Sequence, residues 1–102
     1  MPSSNITSEN EIAQAVVDIL ATTTSGEATL AYLRKRIPNR VQLTSDDMIQ
    51  SQTRPREALW EQRLRNIKSH HNSPGNYIAE GWLVAPSRGR LRITPQGRNK
   101  AH

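Results

Sequence analysis

Between Glu57 and Thr94 the apolar residues change their repeat. In "EALWEQRLRNIKSHH", residues 57–71, Trp60, Leu64 and Ile67 recur at i, i+4 and i+7 and make one narrow apolar seam on a helix. In "WLVA", "PSRG" and "RLRIT", residues 82–94, the repeat becomes two around a turn. That pattern predicts a β-hairpin with Leu91 and Ile93 on one face and Arg90 and Arg92 on the other. A chain of 102 residues is long enough for one domain and too short for two, so helix and hairpin must share a single core. Eight Ile, eight Leu, four Val, two Trp and two Tyr, with no Phe, supply it.

The rest of the core comes from upstream. "SENEIAQAVVDIL" starts with Ser8 and Glu11 at capping-box spacing and places Ile12, Val16, Ile19 and Leu20 on one helical face, ending in "TTTSG". "EATLAYLRKRIP" predicts a second helix of about ten residues, with Leu30, Leu33 and Ile37 in phase and Pro38 as its stop. "RVQLTSDDM" reads as an extended piece through Val41 and Leu43, then a helix of one or two turns capped by Thr44. In "SQTRPR" Pro55 breaks the pattern before the Trp60 helix. After that helix, "NSPGNYIAEG" offers Ser73 as cap, Pro74 at a first helical position and Gly81 just past the end, so one or two helical turns are expected over 74–80, burying Tyr77 and Ile78. Thr94 and Pro95 repeat the device for a last short turn. These limits divide the chain into a flexible N-terminal tail (1–8), a folded domain (9–98) and a flexible C-terminal tail (99–102).

Composition removes several function classes. Cysteine is absent, which excludes disulfides, thiolate metal sites and cysteine nucleophiles. His70 and His71 are adjacent and His102 is terminal, whereas a helical metal pair needs a spacing of three or four, so neither a metal nor another cofactor is expected. No run approaches the roughly twenty apolar residues of a membrane helix, and "MPSSNITSEN" lacks the regions of a signal peptide, which points to a cytoplasmic, nucleoid-associated protein without membrane partners. Catalysis by Ser69 with His70 or His71 is not expected either. Neighbouring helix positions diverge by about 100°, and no orienting carboxylate is close in sequence.

Charge points to a partner. The net +5 divides unevenly: residues 1–53 hold four Lys/Arg against six Asp/Glu, residues 54–102 hold ten against three. A basic half of net +7 suits a polyanion. Two amphipathic helices, a short strand, a long third helix and a basic C-terminal hairpin compose an α+β winged helix-turn-helix with three main helices and a hairpin wing. In that arrangement helix 57–71 would enter the major groove of duplex DNA and wing 82–94 would follow the backbone. Ala58, Gln62, Arg65, Asn66 and Ser69 point away from the seam. Gln62, Arg65 and Asn66 carry donors and acceptors suited to base edges, and Ser69 and His70 could add to them. Arg54, Arg56, Arg63, Lys68, Arg88, Arg90, Arg92 and Arg98 are the candidate phosphate contacts, with Lys100 close behind and the cluster Arg34-Lys35-Arg36 secondary. Trp60 and Trp82 are read as core or hairpin anchors, since one aromatic does not make a stacking groove.

"RPREALWEQRLRNIKSHH" followed by "YIAEGWLVAPSRGRLRITPQGR" resembles the winged-helix domain at the N-terminus of Mrr-type restriction endonucleases, which is also found fused to HNH-type nucleases. The residues that carry the resemblance are Trp60, Glu61, Arg65, Asn66, Gly81, Leu83, Gly89, Arg92, Thr94, Gly97 and Arg98. It covers the last half of the chain in detail and the first half as an order of helices. It implies a DNA-specificity module of a restriction or defence-type nuclease system, with modified-base recognition as an extension and any nuclease in a separate domain or partner. Two other functions fit the same elements: a winged-helix transcriptional regulator, and a protein-interaction winged helix that does not bind DNA.

Overall fold

The computed structural model describes residues 8–51 and 56–102. The expected tail 1–8, apart from Ser8, and the candidate contact Arg54 lie outside the described residues. Helix α1 (Glu9–Ala21) starts at the expected capping box: Ser8 Oγ accepts from the Glu11 N–H at 3.1 Å, and Glu11 Oε1 accepts from the Ser8 N–H at 2.9 Å. Its buried face includes Ala13, Ala15 and Val17 besides the four expected residues, because α1 packs against both the long third helix and the sheet. It ends where Thr22 and Thr23 donate their hydroxyls to Ile19 O and Leu20 O.

The expected second helix is shorter at its start. Glu27–Thr29 form strand β1, and helix α2 covers Leu30–Arg36, followed by a 3-10 turn, Ile37–Asn39. Gly26, at φ 71°, turns the chain, and the Thr29 hydroxyl caps α2 by accepting from the Tyr32 N–H at 3.1 Å. What makes 27–29 extended is a partner more than sixty residues away: Glu27, Ala28 and Thr29 pair with Arg92, Leu91 and Arg90 of β3. The predicted turn after Leu43 is a single 3-10 turn, Asp46–Met48, in which Thr44 and buried Asp47 cap each other's N–H groups. Helix α3 (Leu59–Ser69) buries Trp60, Leu64 and Ile67 as the seam required. It begins two residues later than the pattern suggests, since Ala58 pairs with Gln50 in an antiparallel bridge and receives the Glu61 carboxylate on its N–H.

Residues 74–80 form turns rather than the expected helix. Asn76, not Ser73, organises them. Its buried side chain accepts from the Ile78 and Ala79 N–H groups at 2.7 and 3.1 Å and donates to Ile67 O at 2.9 Å and to Glu9 at 3.3 Å. Tyr77 is buried and Ile78 half-buried. The chain then enters β2 (Leu83–Val84) and β3 (Arg90–Ile93), and helix α4 (Pro95–Arg98) closes it, capped by Thr94. The sheet is antiparallel in the order β1-β3-β2, with Leu91 and Ile93 buried and Arg90 and Arg92 exposed. Gly97 lets α4 lie on the chain ahead of β2, since a Cβ there would stand 2.1 Å from Trp82 O. Residues 99–102, expected as a flexible tail, are bonded to α1: Gln14 donates to Lys100 O at 2.8 Å and Asp18 accepts from the His102 N–H at 2.8 Å.

Over the described residues the chain is thus α+β, with four α-helices and a three-stranded antiparallel sheet, an order compatible with a winged helix. Among the described residues no helix is long and apolar enough to cross a membrane. Asn76→Ala should lower the unfolding free energy by about 2–4 kcal/mol in denaturant titration, since it strands the buried Ile67 carbonyl and the part-buried N–H groups of Ile78 and Ala79.

Candidate nucleic-acid interface

The phase of α3 decides which side chains meet the hairpin. Relative to the seam, Lys68 and Arg65 lie about 80° and 140° round the helix, on the side that faces the β2–β3 turn. There they line a groove of about 480 Å³ with Ser69, Leu30, Arg88 and Gly89. The hairpin tip is held in place from below, because the Leu30 N–H at the start of α2 donates to Gly89 O at 2.9 Å. Gly89 takes φ 73°, the left-handed region, and so turns the chain directly after Arg88. Four of the residues expected from sequence, Arg65, Lys68, Ser69 and Arg88, therefore converge on one groove.

Its cations differ in state. Lys68 and Arg88 are exposed, and neither has an acidic partner among the described residues. Arg65 is held by Glu57: Nε donates to both carboxylate oxygens at 3.2 and 3.3 Å, and Nη2 donates to Oε2. That hydrogen bond raises the Arg65 pKa above its ordinary value; partial burial opposes the rise and the charge of Glu57 adds to it. Beyond the groove, Arg90 and Arg92 share one carboxylate, Glu27 of β1, at 3.2 and 2.9 Å.

The remaining candidates are placed elsewhere or otherwise engaged. Gln62 Oε1 accepts from the Ser51 hydroxyl at 2.7 Å, which leaves its amide N–H groups as donors. Asn66 is half-buried, and its side chain makes no hydrogen bond among the described residues. His70 caps the end of α3 and turns to α1, with Nδ1 2.8 Å from Glu9. Glu9 is a carboxylate the local sequence did not offer, yet Ser69 faces the groove and makes no hydrogen bond to His70. Arg63 is half-buried, with its Nε enclosed and without a hydrogen-bond partner among the described residues. Arg56 is exposed ahead of α3, and Arg98 lies across Gly26, where a Cβ would meet its guanidinium at 2.8 Å. Lys100 covers Trp82 from 4.5 Å, and Trp82 meets the edge of Tyr77 at 4.8 Å. Of the secondary cluster, Arg36 stacks on Tyr32 and Arg34 reaches Glu61 at 3.9 Å.

Sequence reasoning missed Leu30 and Gly89 as groove walls and missed all three carboxylates, Glu9, Glu27 and Glu57. Only Glu57 carried a local signal, an acid placed just before the seam. Among the described residues no group of three or more His, Cys, Asp or Glu side chains could hold a metal ion. No family model matches the chain, and searches of curated proteins and of solved structures find no match. Open space surrounds Gly89, so Gly89→Ala meets only backbone strain; it should cost about 1–2 kcal/mol by thermal or chemical unfolding.

Proposed function

We propose that this chain is a winged-helix module that binds duplex DNA, with α3 against the major groove and the β2–β3 hairpin along the adjacent backbone. The observation that carries the reading is the convergence of Arg65, Lys68 and Arg88 on one groove between helix and hairpin tip. Three cations on converging elements suit a row of phosphates and position the helix without selecting sequence. Selection then falls to side chains beyond the phosphate grip. Asn66 has both its donors and its acceptor to offer and suits adenine, whereas Gln62, with its oxygen taken by Ser51, suits an acceptor edge.

Work within a restriction or defence-type nuclease system, with modified bases as an extension of the target, follows from the resemblance of residues 54–98. In that setting the chain supplies DNA binding and a separate domain or partner supplies cleavage. A second reading has its own observation: Met48 and Ile49, at 59% and 52% exposure, offer neighbouring apolar side chains on the loop ahead of α3. That pair suits a protein contact. Replacing both with Ser would abolish partner capture under the second reading and leave duplex binding intact under the first.

The direct test is a salt series on labelled duplex. Affinity should fall steeply between about 50 and about 200 mM salt, and Lys68→Ala/Arg88→Ala should flatten the slope of log K against log salt by about 2. Salt-independent binding, or a double variant indistinguishable from the parent, would refute the DNA reading.

A further inference from the structure

Three of the arginines on this surface already hold an anion. Arg65 gives Nε and Nη2 to Glu57, and Arg90 and Arg92 both close on Glu27. The core does not demand these pairs: the inward side of β3 is Leu91 and Ile93, and any polar residue would serve on its outer side. The arginine side chains are between 34% and 50% exposed, so a phosphate can reach them, while the carboxylates lie deeper, Glu57 at 13% and Glu27 at 21%. Glu57 holds Arg65 through both oxygens, and Glu27 gives one oxygen to Arg90 and the other to Arg92, so each arginine has donors engaged that a phosphodiester would use.

We propose that Glu57 and Glu27 are internal competitors for DNA phosphate, each withholding arginines from the backbone until a duplex displaces it; this inference rests on the DNA-binding reading above. The consequence is a domain whose general hold on DNA comes from Lys68 and Arg88, with Arg65, Arg90 and Arg92 added only by a site that fits closely enough to break their pairs. Random duplex is held weakly, so discrimination between sites rises without any additional base contact. The counterion count follows the same logic. An unpaired cation that meets phosphate sets free the counterion held there. An arginine drawn from a carboxylate leaves behind an anion that recruits a cation, so each displaced carboxylate cancels one released counterion.

The experiment measures labelled random-sequence duplex across the same salt range for the parent, Glu27→Gln, Glu57→Gln and Glu80→Gln. Glu80 accepts from the Gly75 N–H and pairs with no arginine among the described residues, so its variant changes net charge by the same amount and serves as control. Glu27→Gln should bind about tenfold more tightly at low salt and steepen the slope by about 1, since the one carboxylate charge shared by two arginines is removed; Glu57→Gln should likewise steepen it by about 1. Glu80→Gln should match the parent. Equal gains in all three variants would mean bulk charge alone and would overturn the inference. So would parental affinity and slope in folded Glu27→Gln and Glu57→Gln, and then DNA binding itself would stand. Absence of binding by every protein in the series would overturn both. Should Glu57→Gln unfold, Glu27→Gln on the outer, half-buried side of β1, opposite buried Ala28, still decides the matter.

Discussion

The side-chain amide of Asn76 lies where the end of α3, the start of α1 and the approach to the sheet come together. Its oxygen gathers two backbone N–H groups of the following turn, while its nitrogen reaches Ile67 O and Glu9. A buried amide must satisfy both ends, so the chain leaving α3 has one direction available to it. That direction sets where Trp82 and Leu83 enter the sheet, hence where the hairpin tip stands over α3, hence the width of the groove holding Arg65, Lys68 and Arg88. Glu9 meets His70 as well, so the first turn of α1 fastens the C-terminal cap of α3 from a second side. The groove residues Lys68 and Ser69 thus lie between two positions, Ile67 and His70, that are fixed by polar contacts outside the groove lining.

Periodicity reads faces, and it served wherever one face decided the element. The seam of α3, the capping box of α1 and the alternation of β3 were legible because each is written within about a dozen residues. Glu27–Thr29 was not. In isolation it reads as the first turn of α2, and only the backbone of Arg90–Arg92 makes it a strand. Residues 74–80 misled for the opposite reason: a Ser-Pro start and a Gly stop are sound local signals, yet the hydrogen bonds to Asn76 outweigh the helix they would cap. The candidate site shows the same division. Residue type and helical phase identified Arg65, Lys68, Ser69 and Arg88, but which of the basic residues were already engaged depended on long-range partners.

Segregation of charge along the chain is likewise not segregation in space. Cut after Thr53, the sequence divides into an acidic and a strongly basic half. Folding carries Glu27 of the acidic half between two arginines of β3 and Glu9 against His70, while Arg34 of that half reaches Glu61 of α3. The basic surface left over is smaller and more localised than a sequence sum suggests, with exposed Lys68 and Arg88 as its groove cations without acidic partners among the described residues.

The strand order carries one more consequence. With β3 in the middle, both borders of the sheet belong to its shortest members, three residues in β1 and two in β2. A border that short offers few open N–H and C=O groups to a passing chain, and β1 runs straight into the capped start of α2. The sheet is thereby poorly suited to templating intermolecular β-pairing, so the domain can be concentrated with little tendency to zip into aggregates through its edges.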